Sequence, residues 1–279
     1  MGHKFMDTKD KNMKTKVVIT GVSGRMGVAL LKGIFTDDAL TLHAAIDRSS
    51  SDLVGQDAGA PFGLTSGVKV TSDLTEALIS ADVLVDFTRP EAAMQYLAAC
   101  KQAGVRMVIG TTGFTEAEKT QIGTAAKKNA VVFAPNMSVG VTLLINLVEQ
   151  AAKVLDEGYD IEVVEMHHRH KVDAPSGTAL RLGEAAAKGL GQDLKDCAVY
   201  AREGVTGERE AGKIGFATLR GGDVVGDHTV IYAGAGERVE ITHKASSRAT
   251  FALGALRAAK FLSGKEAGLF DMQDVLGFK

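Results

Sequence analysis

From Lys16 to Ala134 the chain alternates short apolar, β-branched runs with segments of helical period, and this rhythm constrains the fold more than any other feature. Lys16 to Thr20, Leu40 to Ile46, Asp82 to Phe87, Val105 to Ile109 and Ala130 to Ala134 read as strands. Arg25 to Phe35, Pro90 to Ala103 and Glu116 to Lys128 read as helices, with Pro90 at the first helical position, where its missing N–H costs nothing. The strands are nearly continuous apolar runs, as a sheet covered on both faces requires. Strands alternating with helices predict a Rossmann-like, doubly wound parallel sheet of the α/β class.

After Asn136 the rhythm changes. A helix is predicted over Val139 to Leu155, a strand over Tyr159 to Met166 and a helix over Thr178 to Leu190. Lys213 to Arg220, Asp227 to Tyr232 and Glu237 to His243 then follow as strands without intervening helices, which predicts an α+β domain with a mixed or antiparallel sheet. Arg248 to Leu262 reads as a last amphipathic helix that returns to the first domain. The expected borders are 16–137 with 246–279 for the first domain and 138–245 for the second. Residues 1–15 are polar and lysine-bearing, and are expected to be a disordered extension.

With 45% apolar and 24% charged residues, the chain has the composition of a globular protein that needs no disulfide or metal to hold a core. A net charge of -2 argues against a nucleic-acid binder. Cys100 and Cys197 are too few for a disulfide framework, and Cys100 sits in an apolar helical run as a small buried thiol. No apolar run reaches the length of a membrane span, and the N-terminus has no secretory apolar region. The expectation is a soluble, cytoplasmic protein.

Gly21-Val22-Ser23-Gly24-Arg25-Met26-Gly27 lies between the first strand and the first helix. Glycines there let the backbone turn tightly and approach a pyrophosphate at the helix N-terminus. The spacing departs from G-x-G-x-x-G, since Ser23 takes the middle place, so a tight turn without a ligand stands as the alternative. Asp47 ends the second strand 20 residues after Gly27, where a carboxylate would accept hydrogen bonds from an adenosine ribose. Its neighbour Arg48 reads either as the partner of a 2′-phosphate or as a solvated surface charge. Gly110-Thr111-Thr112 and Ala134-Pro135-Asn136-Met137 follow later strands, at the carboxyl ends where open α/β sheets bind ligands. NADH or NADPH is the cofactor these segments imply.

Residues 167–178, HHRHKVDAPSGT, combine three imidazoles, two permanent cations and a helix-opening Ser-Gly-Thr turn. Three readings compete. A zinc site is disfavoured because Arg169 and Lys171 would repel a dication and no cysteine lies close by, so no metal is expected. A solvated basic face is the second reading. The third is an acid/base centre, in which His167 or its neighbour exchanges a proton and Lys171 holds a carboxylate or donates a proton. Backbone amides around Ser176, Gly177 and Thr178, with the Thr178 hydroxyl, would then seat an anion. Together with the nucleotide turn, this implies hydride transfer to a small carboxylate-bearing acceptor. No tyrosine among Tyr96, Tyr159, Tyr200 and Tyr232 is followed by lysine four residues on, so short-chain-dehydrogenase machinery is missing. A nicotinamide-sensing regulator without turnover, or an amino-acid or homoserine dehydrogenase, remain as other classes.

GVSGRMG at 21–27, VDFTRPE at 85–91, VIGTTGF at 108–114, APNMSVG at 134–140, EMHHRHKVDAPSGTA at 165–179 and ITHKASSR at 241–248 closely resemble the 4-hydroxy-tetrahydrodipicolinate reductase family of the diaminopimelate route to lysine. The resemblance implies a dinucleotide-binding domain completed by the C-terminal helix, and a middle domain that binds a dicarboxylate and forms a homotetramer. It implies His167 as proton donor/acceptor and Lys171 as a further proton donor, with His168, Gly177 and Thr178 on the substrate carboxylates. Gly21 to Met26, Asp47, Arg48, Gly110 to Thr112 and Ala134 to Met137 would contact NADH or NADPH. Arg248 is either an addition to the carboxylate seat or a helix-surface charge.

Overall fold

The computed structural model describes residues 14–279. The extension expected at 1–15 falls almost wholly outside the described residues, and Thr15 already belongs to the first strand. The chain forms two compact units, one comprising residues up to Pro135 with Ala252–Val275, the other Asn136–Phe251 with Leu276–Lys279.

The first unit opens with β1 (Thr15–Thr20), α1 (Arg25–Ile34) and β2 (Leu40–Ile46). A short β3 (Val70–Thr71) and α2 (Leu74–Leu78) precede β4 (Val83–Asp86), α3 (Pro90–Ala103), β5 (Arg106–Ile109), α4 (Glu116–Ala126) and β6 (Ala130–Phe133). Helix ends follow local chemistry. Pro90 starts α3 and Gly104, at φ 69°, stops it in the left-handed conformation that a side chain would resist. Thr115 and Glu118 form a reciprocal capping box on α4.

The second unit contains α5 (Val139–Val154), β7 (Asp160–His167), α6 (Gly177–Gly189), α7 (Leu194–Cys197), β8 (Ala198–Val199), β9 (Ile214–Arg220), β10 (Gly226–Gly234) and β11 (Glu237–Ala245). The chain ends with α8 (Ala249–Leu262), β12 (Gly268–Phe270) and α9 (Met272–Leu276).

Seven parallel strands of the first unit lie in the order β12-β6-β5-β4-β1-β2-β3. Val18, Leu84, Met107 and Val131 join one core with the inner faces of α2, α3 and α4. Their strand neighbours Val17, Ile19, Val85 and Val132 are equally buried and point the opposite way by the two-residue period. Both faces are therefore covered, as the apolar strands predict. The order reverses between β1 and β4, which places a crevice at their carboxyl ends. The late elements add what the sequence reading lacked: β12 pairs with β6 and covers that sheet edge. α8 packs against α1 so closely that a Cβ on Gly33 would lie 2.7 Å from Leu256 Cδ1.

The second sheet has the order β11-β10-β7-β9-β8, antiparallel between β7, β10 and β11 and parallel between β7, β9 and β8. It is the mixed sheet expected. Leu144, Val148, Leu182 and Ala186 of α5 and α6 pack on Ile161, Val163, Phe216, Val230 and Tyr232. The Tyr232 hydroxyl donates to the Val148 carbonyl at 2.7 Å, which satisfies the one polar atom of that buried side chain. β3, α2, α7, β8 and β12 escaped the sequence reading because segments of two to five residues show no period. Among the described residues no helix is long and apolar enough to cross a membrane.

One buried carboxylate organises the crevice. Asp86, fully buried at the end of β4, accepts hydrogen bonds from the hydroxyls of Thr20 (2.8 Å), Thr88 (2.6 Å) and Thr111 (2.6 Å). The cage thus ties the ends of β1 and β4 to the loop after β5. Burial pushes the Asp86 pKa above the ordinary value, and the three hydroxyls only partly offset it. Asp86→Ala should cost about 2–4 kcal/mol, since it leaves buried hydroxyls without their acceptor. Asp86→Asn should cost less, because an amide oxygen still accepts and a hydroxyl can reverse. A carboxyl whose folded pKa is raised loses stabilising effect as pH climbs from the unfolded pKa through the folded one. The Asn variant should therefore gain on the parent protein as pH rises through that window, and urea midpoints at several pH values measure both effects.

Candidate active site

In the first unit the glycine turn is built as a cradle. Gly21 adopts φ 63°, and a Cβ on Gly27 would fall 2.2 Å from the Gly21 carbonyl oxygen, so the first turn of α1 can press on the turn only without a side chain there. Asp47 stays buried and holds the turn: Oδ2 accepts from the Ser23 amide (2.9 Å) and the Ser51 hydroxyl (3.2 Å), and Oδ1 from the Arg48 amide (2.9 Å). Burial raises its pKa, but these hydrogen bonds outweigh it and hold the carboxyl below the usual range.

The N-terminus of α1 differs from its counterparts. α2, α4, α5, α6 and α7 each receive a side-chain cap and the uncapped α3 opens on Pro90, which has no N–H to satisfy, whereas α1 has neither a cap from Gly24 nor a proline. Its leading N–H groups are left for an external acceptor, as a pyrophosphate would be. Next to it lies a cavity of about 450 Å³ lined by Ser23, Arg48, Leu53, Pro61, Phe62 and Val70. Apolar walls with an exposed Arg48 at the rim suit a flat base and a charged ribose substituent. The residues present therefore fit a dinucleotide. Val22 and Thr111 are buried, and the Thr111 hydroxyl is engaged by Asp86, leaving Gly110 and the exposed Thr112 as the accessible part of that loop. Arg25 is exposed and Met26 half-buried on the first turn, and of the last predicted cofactor segment Ala134 is buried and Pro135 exposed.

The second unit gathers the acid/base residues. Along β7 the same face carries Ile161, Val163, Glu165 and His167, so the two-residue period runs from core to chemistry within one strand. His167 Nδ1 lies 2.5 Å from Glu165 Oε2. Glu165, 1% exposed, also accepts both guanidinium nitrogens of Arg220 (2.8 and 2.9 Å) and the Ser176 amide (3.0 Å). Burial raises its pKa, and Arg220, His167 and Ser176 together bring it below the ordinary carboxylate value. His228, on β10, meets the His167 ring edge to face at 5.1 Å and places Nε2 at 2.9 Å from the Ser176 hydroxyl. Burial, then the neighbouring His167, push His228 down to about 4, so it stays neutral near pH 7.

Ser176 caps α6 by accepting from the Ala179 amide at 3.1 Å. Its hydroxyl and amide are thus committed to the protein, so it shapes the anion seat and leaves Gly177 and Thr178 to face a ligand. Thr178 Oγ1 accepts from Asn136 Nδ2 (3.1 Å), and Asn136 Oδ1 accepts from the Ser138 amide at the start of α5. Met137 is 1% exposed and contributes core rather than an accessible side chain. Lys171 reaches Asp173 at 2.8 Å in the loop after β7. His168 is held by its amide to the Val224 carbonyl, and desolvation followed by Arg248, His170, His167 and Lys171 lowers its pKa. The structure therefore brings His167, His168, Lys171, Gly177 and Thr178 to one end of one sheet, with Arg248 near enough to be felt. Among the described residues no group of three or more acidic, histidine or cysteine side chains could hold a metal ion.

The sequence reading gave Glu165, Arg220, His228 and Asp86 no role in the site. Glu165 was within reach of it, lying one strand period before His167. Arg220 and His228 enter only through pairing, since Arg220 is the β9 partner of His167 and β10 flanks β7 on the other side.

Comparison with known proteins agrees across the chain. The family described as "Dihydrodipicolinate reductase, N-terminus" matches residues 15–137, and "Dihydrodipicolinate reductase, C-terminus" matches 140–276. The 4-hydroxy-tetrahydrodipicolinate reductase of Thiobacillus denitrificans is 64% identical, covering 96% of this chain and 100% of that protein. That of Laribacter hongkongensis is 62% identical over 95% of this chain and 98% of that protein. Among solved structures, dipicolinate-bound dihydrodipicolinate reductase from Paenisporosarcina sp. TG-14 superposes with a TM-score of 0.75 at 25% identity, covering 94% of this chain and 99% of that one. An amine dehydrogenase from Mycobacterium smegmatis shares the fold alone, with a TM-score of 0.58 at 15% identity over 92% of this chain and 94% of that one. With both halves matched and relatives above 60% identity along nearly its whole length, the chain belongs to the dihydrodipicolinate reductase family.

Proposed function

We propose that this protein reduces (2S,4S)-4-hydroxy-2,3,4,5-tetrahydrodipicolinate with NADH or NADPH, giving tetrahydrodipicolinate and water, in the diaminopimelate route to lysine. One observation carries the reading: a buried Glu165–His167 pair, Lys171 and the N-terminus of α6 meet at the end of β7. This is a proton source beside an anion seat. Both names in the comparisons, and the dipicolinate bound to the Paenisporosarcina protein, point to a planar substrate with two carboxylates.

Gly21, Val22, Ser23, Gly24, Arg25 and Met26 would hold the dinucleotide pyrophosphate, Asp47 and Arg48 its adenosine end, and Gly110 to Thr112 with Ala134 to Met137 its nicotinamide end. When bound, that group supplies a hydride. Loss of the 4-hydroxyl as water leaves a conjugated imine, and hydride addition moves an electron pair toward nitrogen. His167 donates the proton that neutralises it, and Lys171 is a further donor. His168, Gly177 and Thr178 hold the carboxylates, with Ser176 shaping the turn beneath them.

Substrate binding falls to the expected 138–245 region, which lies inside the second unit, and dinucleotide binding to 16–137 with 246–279, of which residues up to 135 and 252–275 lie in the first unit. A homotetramer and a cytoplasmic setting complete the reading. The face of the mixed sheet opposite α5 and α6 supports assembly: Val164, Met166 and Ile231 are only half-buried there, and Leu219 is 50% exposed.

Three outcomes test the assignment. His167→Gln and Lys171→Ala should each lower kcat by roughly 100-fold or more while leaving NADPH affinity unchanged; undiminished turnover would refute the acid/base roles. Pyridine-2,6-dicarboxylate should inhibit competitively against the dicarboxylate substrate, and failure to compete at high concentration would remove the proposed seat. Arg48→Ala should raise the Kd of NADPH roughly tenfold with little effect on NADH, measured by fluorescence titration.

A further inference from the structure

The proton exchanged by an imidazole can leave from either ring nitrogen, and the surroundings of His167 distinguish the two. Nδ1 is 2.5 Å from Glu165 Oε2. Nε2 lies beside Gly226, where an added Cβ would approach to 3.0 Å. The absent side chain keeps that nitrogen uncrowded. Glu165 is in turn held by three donors besides the imidazole: two from Arg220 and one from the Ser176 amide. A carboxylate so engaged is acceptor-only, so the His167 nitrogen facing it must carry the proton.

The other charged and titratable groups around the ring do not compete for Nδ1. His228 packs edge to face from β10 and directs Nε2 to Ser176, with His243 beyond it as its partner on β11. Lys171 is paired with Asp173 in the loop, and His168 follows on the chain. Arg220 reaches the site from β9 through Glu165.

We infer that Glu165 is a positioning residue for proton transfer: with Arg220 as its clamp, it fixes the His167 ring and tautomer so that Nε2 alone exchanges the proton with substrate. This rests on the reading of His167 as the proton donor. The same carboxylate accepts from the Ser176 amide, so the acid and the turn that seats the substrate anion share one anchor. Arg220, by paired N–H donors and by charge, keeps Glu165 ionised, so the carboxylate can only accept from the imidazole.

Glu165→Gln keeps the shape and removes the charge. The amide can turn an N–H toward Nδ1 and release the tautomer, so kcat should fall roughly tenfold or more at pH 8, with NADPH affinity within twofold of the parent enzyme. Glu165→Asp, which retains the charge at a shorter reach, should recover part of the loss. A kcat within twofold of the parent enzyme would overturn the inference. Nitrogen-15 NMR of the unaltered, histidine-labelled enzyme gives a second reading independent of any variant. Neutral His167 should carry its proton on Nδ1, and a proton on Nε2 would overturn the inference even if Glu165→Gln fails to fold. The parent reading fails separately: His167→Gln with full turnover removes His167 from the chemistry, whereas an inactive His167→Gln beside a normal Glu165→Gln removes only the role of Glu165.

Discussion

A single buried carboxylate holds the second unit's chemistry in place. Glu165 sits with almost no exposure on the covered face of β7 and receives Arg220 from β9, the Ser176 amide from the start of α6 and the imidazole of His167 from its own strand. Isolated in such a place, a charge would be strongly unfavourable. Four donors make it tolerable, and in doing so they lock two strands and a helix start to one another. A buried ion pair is weak evidence for stability but good evidence for a fixed arrangement when every lone pair is engaged. The anion seat and the proton donor are therefore parts of one hydrogen-bonded assembly.

The first unit solves a related problem with neutral donors. Asp86 meets three threonine hydroxyls and no cation, so its burial is only partly compensated and its pKa rises. Asp47 nearby binds backbone amides and remains well ionised. One carboxylate braces the strand ends from inside, and the other fastens the glycine turn from the crevice side. Between them they leave the N-terminus of α1 without an internal acceptor, and a helix end in that condition is a place for an external anion.

Much of this was legible beforehand. Strand runs such as Val17 to Ile19 and Val83 to Val85 are apolar because both faces of the sheet are covered, and that pattern survives in any sequence that folds this way. The glycine turn and the 167–178 run announce themselves because backbone freedom and dense positive charge need particular residue types in a row. Ser176 and Thr111 show the limit: a hydroxyl in a promising loop reads as a ligand contact, and only its actual partners, His228 and Asp86, show that it is engaged within the protein. Short elements such as β12 carry no period, and they exist because the edge of β6 offers unpaired backbone groups to cover.

The parallel α/β sheet followed by a mixed one, the place of the nucleotide turn and the chemical character of the 167–178 segment can all be read from the order of the amino acids. These depend on local period, backbone permission and charge density, all carried by neighbouring residues. Tertiary structure decided which groups surround His167, since Arg220 lies 53 positions and His228 61 positions along the chain. Strand pairing alone brings them there, and pairing is a long-range choice set by the burial of whole faces. It also decided which nitrogen of that histidine is engaged and which is left free, a matter of a few ångströms that no pattern of residue types encodes.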